Sequence, residues 1–362
     1  EKEFGKLFNI KSYNSSLLFT PNEVLNNSGS FFKVYTPFWK NALNKLNLRD
    51  PLPVPKIKSI YERKILSIKQ STVDKESKIW EKKILSHFKP GEVNAREILG
   101  QISTKLNGYS KNRDFPIQNN TSQLSPYLAR GELSVNEIFF SVKRNKKKVD
   151  IDDYIKFTSQ LGWREFSYNI LYNFPKLPNT NFISKFNNFP WLKNSKYLSS
   201  WKKGTTGYPI VDAGMRELRA TGYMHNRLRM ITASFLIKNL NISWVDGAKW
   251  FWDNLFDADI ANNSSGWQWV AGCGTDAAPY FRIFNPTLQS LRFDKDGEYI
   301  RKWVPELRDL PNKFIHSPWE LTEMELLNFD VKLGKDYPFP IVDHKTTRDE
   351  ALINYKKMNL IK

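Results

Sequence analysis

Cysteine is almost missing from this chain of 362 residues: Cys273 is the only one. A single thiol excludes an intrachain disulfide, a thiolate-rich metal site and an iron–sulfur cluster held by four cysteines, and it fits a reducing compartment. Histidine is nearly as scarce, and the four present (His87, His225, His316, His344) lack the spacing of a zinc site. Long apolar runs are absent too; none approaches the roughly 18 residues that a membrane span needs. The opening Glu1-Lys2-Glu3-Phe4 does not look like a signal peptide. These absences lead us to expect a cytoplasmic protein with no metal site and no membrane partner, and we expect a monomer.

What is abundant is positive charge and aromatic surface. Lys and Arg total 55 against 37 acids, a formal charge of +18, and 14% of residues are aromatic, twelve of them Trp. A surplus of that size favours a polyanionic partner, of which nucleic acid is the commonest; a generally lysine-rich composition is the alternative. The hydrophobic fraction of 40% is enough for a large core, and the length is that of roughly two domains.

Residues 17–39 (LLFTPNEVLNNSGSFFKVYTPFW) read as a turn-punctuated loop that needs a sheet or helices to pack on. Residues 50–60 (DPLPVPKIKSI) carry Pro51, Pro53 and Pro55, which forbid a helix and favour an extended connector. A basic segment from Lys56 to Lys83 follows. From about Trp80 onward the pattern is helical. Residues 150–172 place Tyr154, Leu161, Tyr168 and Leu171 near the 3.6-residue period. Residues 212–221 have Asp212 as a candidate N-cap and Gly222 as a stop signal. Residues 226–240 set Leu228, Ile231 and Phe235 on one face. No strand alternation is visible after residue 90. The run from Lys143 to Lys148 reads as an exposed loop between helices.

Three stretches use residue types that chemistry needs. In residues 121–130 (TSQLSPYLAR), Thr121, Ser122 and Ser125 cluster where a helix begins, which suits a phosphate or, more simply, a cap. In residues 257–269 (DADIANNSSGWQW), Asp257, Asp259, Asn262 and Asn263 lie beside Trp267 and Trp269; no further acid or histidine gathers there to make a metal site. The tryptophans fill a core individually and could stack on bases or a flat cofactor collectively.

WREF at 163–166, GYPIVDAGMREL at 207–218, MHNRLRM at 224–230, DADIANNSSGWQW at 257–269 and GTDAAPYFRIFNP at 274–286 resemble the class I photolyases of the photolyase/cryptochrome family. The likeness runs in order over about residues 80–345. LLFTPNEVLNNSGSFFKVYTPFWK at 17–40 resembles the end of the family's amino-terminal antenna domain. The resemblance implies a mainly α chain: a remnant of an α/β antenna domain at 1–45, a linker at 46–79 and an all-helical, FAD-binding catalytic domain at 80–362. Most of the antenna domain is expected to be absent, and no antenna chromophore is expected.

The resemblance also implies roles. Tyr109 and the stretch Thr121, Ser122, Gln123, Leu124 and Ser125 would hold the diphosphate of non-covalent FAD. Arg164 and Asp257 would line the flavin, with Arg229 paired to Asp257, Asp259 at the ribityl region and Asn263 beside N5. An amide at N5 cannot lose a proton, which favours a stable reduced flavin. Trp267, Trp244 and Trp191 match a chain that carries electrons to photoexcited oxidised flavin. Trp163 and Trp269 match the walls of a pocket for a cyclobutane pyrimidine dimer, with Gln160, Asn226 and Met230 beside them. Gln160, Trp163 and Ser167 share one helix face. Arg113, Arg227 and Arg282 match positions that grip the DNA backbone. The implied activity is light-driven repair of ultraviolet-damaged DNA.

Gln160 departs from the pattern: dimer photolyases usually carry glutamate there, and (6-4) photolyases and animal cryptochromes glutamine. Those relatives, however, have histidines where this chain has Asn226 and Met230, which favours the cyclobutane dimer. A cryptochrome photoreceptor, a (6-4) photolyase and a fragment that only binds DNA are the alternatives.

Overall fold

The computed structural model describes residues 13–48, 85–118 and 120–360, together with Ile10, Asp50, Pro51, Leu52, Lys56 and Lys82. Most of the expected linker at 46–79, most of the basic segment from Lys56 to Lys83, and Trp80 lie outside the described residues. The described helices are α1 (Tyr35–Lys45), α2 (Glu92–Gly100), α3 (Ile102–Lys105), α4 (Tyr109–Asn112), α5 (Ser125–Arg130), α6 (Val135–Arg144), α7 (Ile151–Asn173) and α8 (Ser195–Lys203). They continue with α9 (Pro209–Thr221), α10 (Asn226–Ser234), α11 (Trp244–Asn254), α12 (Ile260–Ala271), α13 (Pro286–Phe293), α14 (Glu298–Trp303), α15 (Glu323–Leu327) and α16 (His344–Leu360). Among the described residues there is no sheet, only isolated bridges at Leu25–Phe31 and Leu333–Tyr337. None of these helices is long and apolar enough to cross a membrane.

The longest of the described helices organises the site. α7 starts at the Asp150 N-cap, whose carboxylate accepts from the Asp152 N–H at 2.8 Å, and Asp152 and Asp153 place negative charge on its positive end. Between Leu161 and Ile170 it is shielded on most sides, with Leu161, Gly162, Arg164, Glu165, Phe166, Ser167, Asn169 and Ile170 each buried. It packs against α1, α4, α6 and α12. Two apolar cores result: one joins α7 to the elements before it, the other gathers α8 to α12 and the segments that follow.

The segment at 17–45, read from sequence as needing a sheet or helices to pack on, finds helices. Phe19, Val24, Phe38, Trp39 and Ala42 are buried in the same core as Leu161 and Phe166 of α7. The contact is close because Gly162 has no side chain: a Cβ there would lie 2.5 Å from the Trp39 ring. Glu165 completes the join, accepting from the Leu18 N–H at 2.8 Å, while Arg164 donates to the Ser16 carbonyl at 2.8 Å. A helix apolar on one stripe would have no surface left for this segment; α7 has one because it is apolar on more than one side.

A correction concerns Asp212. It does not cap α9, which opens at Pro209 after Tyr208. Its fully buried carboxylate instead accepts from the Thr206 and Gly207 N–H groups, the Thr206 hydroxyl and the Tyr337 hydroxyl at 2.6 to 3.0 Å, tying α9 to distant chain. Pro209 suits the first helical position because its missing N–H would have no partner there. The stop is as expected: Gly222 ends α9 in the left-handed conformation, φ 72°. α10 covers the first part of 226–240 and continues into one wider π-type turn at Phe235–Asn239. The Lys143–Lys148 run is exposed, as the end of α6 and a single turn at Lys146–Lys148.

Candidate functional site

Between the two cores lies a cavity of about 570 Å³, walled by α7, α10, α11 and α12 and bordered by Arg113 and Asp114. That volume is in the range of small-molecule and cofactor sites. Each helix contributes side chains that its own period turns the same way. Gln160, Trp163 and Ser167 come from α7, Asn226, Arg229 and Met230 from α10, and Asp259, Asn263, Trp267 and Trp269 from α12 or its cap.

Charge is concentrated at one end. Arg229 Nη2 lies 2.9 Å from Asp257 Oδ2 and 3.1 Å from Oδ1, and Ser125 Oγ donates to Asp257 Oδ2 at 2.7 Å. Arg229 is fixed further by its Nε, 2.7 Å from the Met224 carbonyl. Asp259 caps α12 by accepting from the Asn262 N–H, and it takes a short hydrogen bond from the Tyr168 hydroxyl. Arg227 Nη2 reaches Asp114 at 2.8 Å, with its guanidinium 4.2 Å over the Phe293 ring. Arg113 Nη1, Arg227 Nε and Ser265 Oγ are buried without a partner on residues that border the cavity. Unpaired buried donors are costly unless a ligand or water meets them, so these mark where a polar ligand is expected.

His225 sits behind this charge and was not expected at the site. Its Nδ1 accepts from the Arg227 N–H at 3.2 Å to cap α10, and its Nε2 lies 2.9 Å from the Arg113 carbonyl, which requires the proton on Nε2. Burial is the main cause that holds its pKa down at about 4. Between about pH 6.5 and 4 the unfolded chain therefore binds a proton that the folded one refuses, and stability falls as pH falls. Glu165, pushed up to about 7 chiefly by burial, acts in the opposite sense, losing stability as pH rises towards 7. His225→Asn keeps a cap acceptor and removes the titration. Its Tm should decline less between pH 6.5 and 4 than that of wild type, and an equal decline would show that His225 is not the group responsible.

The aromatic residues divide into two groups. Trp163 and Trp269 both line the cavity. Trp267 is 3% exposed, lies on the cavity wall and packs against α11 where Gly247 leaves room; a Cβ on Gly247 would fall 2.1 Å from the indole. Trp244 opens α11, is buried, and donates through Nε1 to Asn181 at 2.8 Å. Trp191 is half-buried and packs 4.3 Å from Phe189. Trp244 and Trp267 belong to one continuous apolar core, and Trp191 packs against it.

Not every expected residue reaches the cavity. Tyr109 is buried in the amino-terminal core under Arg113. Thr121, Ser122, Gln123 and Leu124 are not on the cavity wall, and none of their side chains caps α5. Ser125 does not cap α5 either; its hydroxyl is used on Asp257, which corrects the simpler reading of this stretch. Arg282 is exposed on the loop before α13, away from the cavity wall. Among the described residues no His, Cys, Asp and Glu group is placed to hold a metal.

The described residues form helices that enclose a cavity with aromatic walls and an Arg–Asp pair, a site suited to a flat, charged cofactor. The family described as the FAD binding domain of DNA photolyase matches residues 157–357. A curated protein named deoxyribodipyrimidine photo-lyase from Agrobacterium fabrum is 43% identical over 357 residues, covering 96% of this chain and 73% of that one. A class III photolyase structure from Agrobacterium tumefaciens superimposes with a TM-score of 0.84 at 43% identity, covering 95% of this chain and 72% of that one. A Synechocystis cryptochrome structure superimposes with a TM-score of 0.82 at 33% identity, covering 97% and 74%. The chain belongs to the photolyase/cryptochrome family, and FAD is its cofactor.

Proposed function

We propose that this protein is a DNA photolyase that repairs cyclobutane pyrimidine dimers with light. The observation that carries the reading is the convergence on one cavity of two tryptophan walls, an uncharged amide at Asn263 and the Asp257–Arg229 pair. Curated relatives named deoxyribodipyrimidine photo-lyase support it, and cryptochromes are less similar. We place the chain in class I on the motifs at 207–230 and 257–286, although a class III structure is among its similar proteins. Residues 80–362 are read as the catalytic domain, with 17–45 as a segment carried on α7.

Bound in this cavity by Asp257, Arg229 and Ser125, reduced FAD would supply light-driven electron donation to the dimer. The chain's own residues orient and protect that exchange. Asp257, Arg229 and Ser125 hold the flavin end of the cavity. Asn263 uses Nδ2 on the Ala248 carbonyl at 3.0 Å, so Oδ1 is the atom left to accept a hydrogen bond from N5, and it carries no titratable proton. Trp163 and Trp269 offer flat apolar surfaces to a lesion extruded from the duplex, as base-flipping repair enzymes require. Arg113, Arg227 and Arg282 would meet phosphates, which position the strand and make binding salt-sensitive.

Gln160 Nε2 is held by the Lys156 carbonyl at 3.3 Å and Ser159 Oγ at 3.1 Å, contacts that a pyrimidine carbonyl would replace. A neutral amide can stabilise the radical anion without repelling it. Hydrogen bonds to charged groups contribute about 1.5–3 kcal/mol, so Gln160→Ala should lower repair per absorbed photon through a roughly 10- to 100-fold change in a competing rate. The test is a light-dependent repair assay on oligonucleotides carrying either a cyclobutane dimer or a (6-4) product. Dimer repair in light but not in darkness is expected; repair of the (6-4) product alone would reverse the weight placed on Asn226 and Met230. Equal yields from Gln160→Ala and wild type would remove Gln160 from the lesion pocket.

A further inference from the structure

Trp163 has two sides, and only one of them belongs to the cavity. Behind it, outside the cavity wall, lies Tyr35, the first residue of α1. The two rings stack with centroids 3.8 Å apart and planes within 8° of parallel. Three further contacts fix Tyr35. Its hydroxyl donates to the Ser159 carbonyl at 2.7 Å, one turn before Trp163 and next to Gln160. Its backbone N–H donates at 3.0 Å to Asp276, on the loop after α12, which caps α1 because Val34 offers no side-chain cap. Its ring meets Phe166 edge-on at 6.0 Å. One residue thus joins the amino-terminal segment, the turn of α7 that carries Gln160 and Trp163, and the loop that leads to Arg282.

We infer that Tyr35 is a positioning residue for lesion recognition: it holds the Trp163 indole in the plane that a flipped-out dimer stacks on. A wall that must present a flat face to a ligand loses selectivity if it can rotate, because the ordering entropy is then lost on binding. Trp163 is half-buried, and Tyr35 removes that freedom beforehand. The binding surface and its support come from opposite ends of the chain, with α1 seated on α7 through the Gly162–Trp39 contact. This inference rests on the dimer-repair reading.

The test measures dark binding of the FAD-loaded protein to a duplex with one thymine dimer and to its undamaged twin. If wild type does not discriminate between them, the repair reading fails, and the inference with it. If it does, Tyr35→Leu, which keeps bulk but cannot stack, should reduce discrimination about three- to tenfold with flavin content and affinity for undamaged duplex unchanged. Tyr35→Phe, which keeps the ring, should retain most of it. A merely structural Tyr35 would lower Tm and both affinities together. Should Tyr35→Leu lose its flavin, the exposed Asp276 decides: Asp276→Ala should lower discrimination and Asp276→Asn restore it. Unchanged discrimination in the variant that decides would overturn the inference. So would tighter dimer binding by Tyr35→Leu, since Tyr35 would then be occupying the lesion's place.

Discussion

Asp257→Ala should yield a protein that purifies without flavin. Asp257 is 8% exposed and accepts from both Arg229 and Ser125. Removing the carboxylate leaves Arg229 with only the Met224 carbonyl, and Ser125 with nothing it reaches now. Breaking a buried ion pair by deleting one partner costs about 3–5 kcal/mol, because the remaining charge stays desolvated. With the Arg229 side chain about a quarter exposed, the lower end applies, and about 3 kcal/mol already exceeds a hundredfold in an equilibrium constant. Asp257→Asn keeps the shape and one acceptor, so it should fall between. The measurement is flavin released per chain on denaturation, with Tm recorded alongside. A full complement of flavin in Asp257→Ala would show that the Arg229–Asp257 pair is not part of the cofactor site.

Trp267→Phe should abolish photoreduction of oxidised flavin while leaving repair intact once the flavin has been reduced chemically. Trp267 is the tryptophan of the three that lies on the cavity wall, and its indole rests on Gly247 of the helix that Trp244 begins. Phenylalanine fills much of the same space but is far harder to oxidise, so a hopping chain loses its first member. Repair from reduced flavin does not use the chain. Trp191→Phe, at the half-buried end, should give the same split. Losing the larger ring leaves a void beside Phe251, at a cost of about 1–3 kcal/mol, so Tm must be compared before photochemistry is interpreted. Photoreduction at the wild-type rate in Trp267→Phe would assign these residues to packing or electron supply to another donor.

Much of the site was implied by the resemblance, and helical spacing supported part of it. Gln160, Trp163 and Ser167 were placed on one face of one helix, and all three line the cavity. Asp259, Asn263 and Trp267, which the resemblance implied, line it too. The Arg229–Asp257 pair is present at 2.9 Å. Other residues resisted such reading. Asp212 has the composition of a cap and the position of a buried anchor, because its partners Thr206 and Tyr337 meet only when α9 packs. His225 looked like one of four scattered histidines until α10 placed it between Arg113 and Arg227. Ser125 read as a cap and turned out to serve a residue 132 positions away.

The sequence by itself determined the local order: mostly helical chain, the faces those helices present, no disulfide framework, and a net positive charge suited to nucleic acid. These follow from residue types and from a 3.6-residue period that acts over a few turns. Only the tertiary structure decided which faces meet. That Tyr35 backs Trp163, that residues 17–45 pack on α7, and that the Thr121–Leu124 stretch stands off the cavity wall all depend on contacts between distant segments. The physical reason is that a buried polar or aromatic group takes its partner from whatever surface packing brings within about 4 Å, and no local period records that surface.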